Sequence, residues 1–505
     1  MPNNKLGVIR RSHIHQSGPG AIIDFRAGEK GGGPVSVIAS AIDFWPNPKI
    51  DITQDPCVVR EERLEKKLDV GYFRLPPVEI SDLNEDDFQP TLKGSRFPSW
   101  LLCPKCFSLK HSSKWRKELG DPSRWCGNCS TDDQRVFVVP SRFVIVCNRG
   151  HIDDFPWLWY LKRFSNKAVE CNALTNNSEN TTTSSEVNDG TDKQVTTSCD
   201  LLLKSSGKTG LSGLILSCKK CKASVSLKSI FNPDTFKDFS CRGNRPWVGD
   251  AEPGCNGTIK ALQRGASNIY FPDRISALSI PPWTEDEISS QLGLLWEQFK
   301  SITDDVNLRK QIIVRRPPGV LEDWDDEELF NYCEEKANYL NQPERQDLEK
   351  DEYEKFTECK EDANKDFQLK NQIIHSNITR YFEKIIKVER LREVTVQTGF
   401  SRLLPPVPDE NSTSNNIAKI MKKKHNWLPA VEVRGEGIFI LLNKDEIDNW
   451  LFNNEEIQKR TFEIRNAYEN QCIERNISPA IEVNANFILL HTLAHTLLYQ
   501  ISFES

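Results

Sequence analysis

The sequence predicts an α+β, multidomain protein: a zinc-ribbon-like, Cys-rich insert, a helical midsection and a truncated C-terminal α/β domain. Three observations carry that expectation. At 505 residues the chain is too long for one ordinary core, so roughly two to four domains are expected. Most of its fifteen cysteines stand in the middle of the chain, several of them in C-x₂-C pairs. Composition then shifts from β-rich runs punctuated by Gly and Pro to a Glu-, Lys- and Leu-rich stretch with helical periodicity.

Residues 1–95 read as a β-rich segment. Gly18-Pro19-Gly20 precedes the apolar run Ala21-Ile22-Ile23, and Gly31-Gly32-Gly33-Pro34 leads into Val35-Ser36-Val37-Ile38. Such clusters between short β-rich runs are turns joining strands. A Gly-rich turn can also cradle phosphate, but that needs a strand before it and a helix after it, and neither is evident here. Residues 96–275 form the Cys-rich region. A polar insert at about 172–197 interrupts it, rich in Asn, Ser and Thr and without aromatics. It cannot bury enough surface to offset its ordering entropy, so a disordered surface loop is expected there.

Residues 276–400 read as helical. Ile288, Leu292 and Leu295 recur at helical spacing, as do Tyr381, Ile385, Ile386 and Leu391. Residues 401–505 return to strand at Ala430–Val433 and Gly437–Leu442, then to helix from Asp445 to Glu474. An apolar helix from Phe487 to Ile501 follows and stops abruptly, as an unfinished domain would.

Bulk chemistry narrows the function classes. Charged residues make up 27% and hydrophobic ones 38%, which suits a soluble globular protein. No stretch is apolar enough to span a bilayer, and MPNNKLGVIRRSHIH holds no hydrophobic signal region. A cytoplasmic protein without a membrane partner is expected, and in that compartment paired cysteines read as metal ligands. The net charge of −6 argues against coating nucleic acid through the overall field, though it permits a local basic patch.

Cys103-Pro-Lys-Cys106 is followed, after nineteen residues, by Cys126-Gly-Asn-Cys129. That ribbon spacing points four thiolates at one tetrahedral ion, and Zn2+ is the ion such ligands hold; four buried free cysteines are the bland alternative. Cys218-Lys-Lys-Cys221 with the single Cys241 and Cys255 makes a second, looser zinc set. A third ion could sit at Cys147-Asn-Arg-Gly-His151, where a thiolate and an imidazole share one turn and Cys199 or Cys171 could add a ligand. Alternatively, His151 anchors the following Asp153-Asp154-Phe155-Pro156-Trp157 turn by hydrogen bonds. An incomplete shell there would be the one place for metal catalysis, as in a nuclease, with Asp153 and Asp154 as bases.

Trp100, Lys105, Lys110, Trp115, Arg116, Lys117 and Trp125 surround the first set. Interleaved in this way, they could contact a nucleic-acid backbone and stack on bases. The plainer reading has the tryptophans capping a small core while the basic groups face water. Lys422-Lys423-Lys424-His425 is either a solvated loop or a phosphate contact. Gly207-Lys208-Thr209 resembles the end of a phosphate-binding loop, but Leu202 stands where its first glycine should be. His491-Thr-Leu-Ala-His495 has the spacing of zinc proteases, but Thr492 replaces their glutamate, so these read as helix-packing histidines. No catalytic residue is assigned.

Several strings taken together resemble one family. They are Arg10–Asp24 (RRSHIHQSGPGAIID), Arg96–Cys106 (RFPSWLLCPKC), Arg142–Trp157 (RFVIVCNRGHIDDFPW), Gly265–Phe271 (GASNIYF), Gly399–Leu403 (GFSRL), Val433–Phe439 (VRGEGIF) and His491–Leu498 (HTLAHTLL). In order, they are similar to the DrmB family, core subunits of the bacterial anti-phage system DISARM. The last string is similar to the start of a domain of unknown function also fused to some helicases. The resemblance implies a non-motor subunit that binds DrmA, a helicase-like ATPase, and helps form its DNA-binding surface, while a DNA methylase marks self. The insert near 172–197 departs from the family, which makes Cys199 a better family match than Cys171. The family's terminal domain also continues, with further cysteines, beyond the point where this chain stops.

Overall fold

The computed structural model describes residues 6–9, 14–26, 32–48, 55–77, 91–131, 133–167, 199–207, 209–281, 287–303, 305–341, 347–359, 366–406, 416–474, 479 and 481–504. The polar insert expected at about 172–197, and Cys171 just before it, lie outside them.

The architecture is α+β. At its centre is a seven-stranded sheet whose path runs Phe271–Leu278, Phe382–Ser401, Trp427–Leu442, Tyr72–Arg74 and Val58–Val59. Phe367–Asn371 and Ala418–Lys419 pair with the long Phe382–Ser401 strand off that path. The join between the two ends of the chain is parallel, with Trp427 opposite Tyr72 and Leu428 opposite Phe73. Parallel neighbours need a long crossover, and here the entire Cys-rich and helical region supplies it. Ile14, Phe73, Val146, Trp247, Val396, Phe400 and Val431 meet in one buried core, so segments far apart in sequence share it.

The helical expectation holds at five places: Glu287–Leu292, Leu294–Ser301, Val306–Val314, Asp326–Asn341 and Leu348–Glu358. The first four pack around Trp296, Phe299 and Phe330. Asp305 and Asp347 cap two of the helices by accepting from Leu308 N and Lys350 N, each worth about 1 kcal/mol. The expectation fails at Ile385, Ile386 and Leu391, which belong to the 20-residue strand Phe382–Ser401, with Tyr381 in the turn before it. Register shifts between Phe382 and Lys384 and between Val388 and Leu391 break the strict two-residue alternation that would have marked a strand. The β-branched run Val394-Thr395-Val396 then pairs on both sides.

A buried network of charge ties the short helix Glu62–Lys67 to this assembly. Glu62 receives Lys336 Nζ at 3.1 Å, Lys300 Nζ at 3.4 Å and the indole N–H of Trp296, all from the helical unit. Glu61, fully buried, accepts from Ser279 Oγ at 3.0 Å, and Arg392 Nη1 donates to the same hydroxyl at 2.9 Å. Arg63 reaches Glu352 at 3.1 Å.

Beside a short two-stranded ribbon of Asn244–Arg245 and Asp250–Ala251, the described part of the Cys-rich region holds two larger sheets. One is six-stranded, in the order Ser224–Ser226, Leu214–Cys218, Leu201–Ser205, Ser108–His111, Trp100–Leu102, Val139–Pro140. The other pairs Phe143–Cys147 with Ile152–Asp154 on one side and Ile259–Gln263 on the other. Phe143, Phe155, Trp157, Tyr160 and Phe236 fill the space beside them. Towards the end of the chain, the helix Ala485–Glu504 leaves Leu490, Leu498, Tyr499 and Phe503 exposed. His491 and His495 meet edge to face with ring centroids 4.5 Å apart, but both are exposed, so the packing role expected of them is not seen. No helix among the described residues is long and apolar enough to cross a membrane.

Candidate metal centres

Cys103, Cys147 and Cys218 each stand where a strand ends in a tight turn. In the first set, the hairpin Trp100–Leu102 and Ser108–His111 closes through Cys103-Pro-Lys-Cys106. Cys103 N donates to Ser108 O at 3.0 Å and Phe107 N donates back to Cys103 O at 2.9 Å. Cys126 and Cys129 arrive on a second turn, where Ser130 N donates to Cys126 O at 3.0 Å. The Sγ atoms of Cys103, Cys106, Cys126 and Cys129 lie within 4.8 Å of one another, and the Cys106 and Cys126 sulfurs are 3.8 Å apart. Thiolates held tetrahedrally at zinc–sulfur bond length stand about 3.8 Å apart, so the set can hold such an ion.

The second set differs from the one expected. Cys241 and Cys255 do not join Cys218 and Cys221; they close around Cys147 and His151, with all four ligand atoms within 4.8 Å. Strand pairing is the reason. Ile259 stands opposite Cys147 and Ile152 opposite Val146, which brings Cys255 and His151 to the same strand end. Cys147 Sγ is 4.0 Å from Cys255 Sγ and 3.3 Å from His151 Nδ1, and Cys241 Sγ is 3.7 Å from that same nitrogen. A tetrahedral sulfur–nitrogen edge around zinc is about 3.5 Å. His151 turns its other nitrogen, Nε2, to Glu252 Oε2 at 3.3 Å, the outer carboxylate that fixes a ligating imidazole. Sequence reasoning missed Glu252, because its distance from His151 along the chain is spanned only by the fold.

Cys199 is placed with Cys218 and Cys221, their three Sγ atoms within 4.8 Å of one another.

Crowded thiols cannot all ionise alone. The Cys241 contact, helped by His151 and working against burial, brings Cys147 down to about 4, while Cys147 drives Cys241 upward. In the first set, burial raises Cys106, but hydrogen bonds from Ser108 and the neighbouring thiols outweigh it and bring it down to about 6. Burial and Cys106 push Cys129 up to about 12. A bound dication would stabilise every thiolate at once.

Closed sets of four ligands leave no open position for chemistry. The carboxylates beside them are also engaged. Asp154 Oδ1 accepts from Ser99 N at 2.8 Å and Trp100 N at 3.3 Å, pinning the entry to the first hairpin, and burial together with Asp153 raises its carboxyl to about 6. Asp153 is held by Asn244 Nδ2 at 3.4 Å and faces Arg242. Asp153 and Asp154, the bases considered for metal catalysis, thus both have partners within the fold.

The basic candidates fall into two groups. Trp115 is buried against Cys103 and Cys126 and donates to Lys110 O at 3.1 Å, so it serves the ribbon's core. Lys110 lies 5.5 Å over its ring. Lys105, Arg116 and Lys117 are exposed. In the distant run, Lys422 pairs with Asp250 at 3.4 Å and Lys424 with Asp69 at 2.8 Å, while Lys423 points to solvent without a carboxylate partner among the described residues. Asp43 holds the run's backbone, accepting from Lys422 N at 2.7 Å and Lys423 N at 3.0 Å.

Four of the quoted strings converge on Arg402, which is 1% exposed. Its guanidinium donates to Gly20 O at 2.8 Å, Gly150 O at 2.8 Å and Ile269 O. Burial brings this cation down to about 9, because its partners are carbonyls. Gly150 has φ +81°, and a Cβ there would stand 2.5 Å from the Ala418 side chain, so only glycine fits. Gly20, at φ +88° against the Phe400 ring, is constrained in the same way.

The model of a family described as a domain of unknown function, DUF8724, matches residues 10–271. The chain is also 28% identical over 494 residues to the DISARM protein DrmB of Bacillus paralicheniformis, an alignment covering 93% of this chain and 78% of that protein. The family match includes every cysteine set described above and three of the strings that meet at Arg402. The chain belongs to the DUF8724 family, and it is similar to DrmB along nearly its whole length.

Proposed function

We propose that this chain is a non-catalytic subunit of a DISARM-type anti-phage complex that docks on a DrmA helicase-like ATPase and helps form its DNA-binding surface. The similarity to DISARM protein DrmB over 93% of the chain carries this reading. The two four-ligand sets act in it as structural zinc sites that fix the Cys-rich region. Thiolates gathered at such centres need a reducing compartment, so the complex works in the cytoplasm. Exposed Lys105, Arg116, Lys117 and Lys423 are the candidate phosphate contacts.

Copurification tests the docking. Coexpressed with a DrmA ATPase, the tagged chain should elute with it as one species; separate elution would sink the proposal. Crosslinking to single-stranded DNA within the complex tests the DNA surface, and no crosslink would reduce the role to architecture. A purified chain that cut DNA alone and stopped on Asp154→Ala would replace the proposal with a nuclease.

A further inference from the structure

The Cys218 turn repeats the conformation of the Cys103 turn. Cys218 N donates to Ala223 O at 2.9 Å and Lys222 N to Cys218 O at 3.1 Å, matching the Cys103–Ser108 and Phe107–Cys103 bonds one for one. The residue after each pair is left-handed and is not glycine: Phe107 at φ 61° and Lys222 at φ 59°. A left-handed conformation costs such residues about 1 kcal/mol or more, so a loop adopts it when the resulting geometry is held by something else. Both turns close hairpins in the same six-stranded sheet.

The third thiol arrives by strand pairing. Leu201 stands opposite Cys218, and Lys219 N donates to Asp200 O at 2.9 Å, which fixes the backbone next to Cys199 over the turn. Cys218 is buried, and Cys199 and Cys221 are half-buried.

We propose that Cys199, Cys218 and Cys221 form a third metal centre, which binds Zn2+ through these thiolates. The inference stands on the thiol geometry and is independent of any partner.

Metal analysis of the full purified chain tests it. Three zinc ions per chain are expected, falling to two in Cys218→Ser/Cys221→Ser. Two ions in the wild type, or an unchanged count in the double variant, would overturn the proposal. Should that variant not fold, alkylation of the wild type with N-ethylmaleimide gives the answer without mutation: zinc should protect Cys199, Cys218 and Cys221 together, and a chelator should expose them together. Cys199 alkylated at the same rate with and without zinc would remove it from the site.

Discussion

Arg402 Nε donates to the Gly150 carbonyl at 2.8 Å, one residue before His151, and so ties the long central strand to the turn that carries a metal-ligand candidate. The same guanidinium holds Gly20 from the opposite end of the chain. Arg402→Met should leave three buried carbonyls without donors, a loss on the order of 3–5 kcal/mol. Urea denaturation would show this as a lower midpoint. Arg402→Lys, which keeps the charge but loses the fork, should fall between wild type and Arg402→Met. A methionine variant that unfolds at the wild-type urea concentration would show that the clamp contributes nothing.

Glu252 acts on His151 through its Nε2–H, leaving Nδ1 to face the three thiols. Glu252→Gln should weaken metal retention at that set by about 10- to 100-fold, the usual cost of losing an outer carboxylate. Competition against a coloured chelator should then release one metal earlier than in wild type. The Cys103 set does not touch Glu252, so its release should not change. Release of both at altered rates would mean that the substitution disturbs folding in general.

Glu61 gives the buried network a pH signature. Burial lifts its carboxyl to about 7 from an ordinary 4.5, against the pull of Arg63 and Arg392. Between about 4.5 and 7 the folded chain holds a proton that the unfolded chain has released. The stability from that proton is complete below the unfolded value and is lost as pH rises through 7. Glu61→Gln should remove the effect, so its melting temperature relative to wild type should climb across this window, by an amount worth about 3 kcal/mol at most. A constant difference from pH 4.5 to 8 would contradict the burial argument.

The cysteine pairs that the fold gathers into candidate metal sets stand out in the sequence, because thiol pairs on short turns are a local pattern. Their partition does not. Which single cysteine joins which pair is decided by register, with Ile259 opposite Cys147 and Leu201 opposite Cys218, and register is a long-range property. Helices from Glu287 to Glu358 were readable from periodicity, whereas the strand Phe382–Ser401 was hidden by its own bulges. The buried ions at Glu61, Glu62 and Lys336 gave no signal at all, since charged residues in sequence look solvated until the fold encloses them.

The basic residues differ in what they can still offer to a phosphate backbone. Lys422 and Lys424 already face Asp250 and Asp69, so a phosphate would have to displace a carboxylate at each. Lys105, Arg116, Lys117 and Lys423 are exposed and carry no such debt. Within the proposed complex with DrmA, replacing any one of these four by Gln should reduce the salt slope of DNA binding by about 1 where it contacts phosphate, and should weaken binding alike on all sequences. Lys422→Gln and Lys424→Gln should leave the slope close to wild type. Fluorescence anisotropy across a salt series measures both. The reverse ranking would place the DNA path on the Lys422–Lys424 loop, and an unchanged slope in all six would remove the basic residues from the interface.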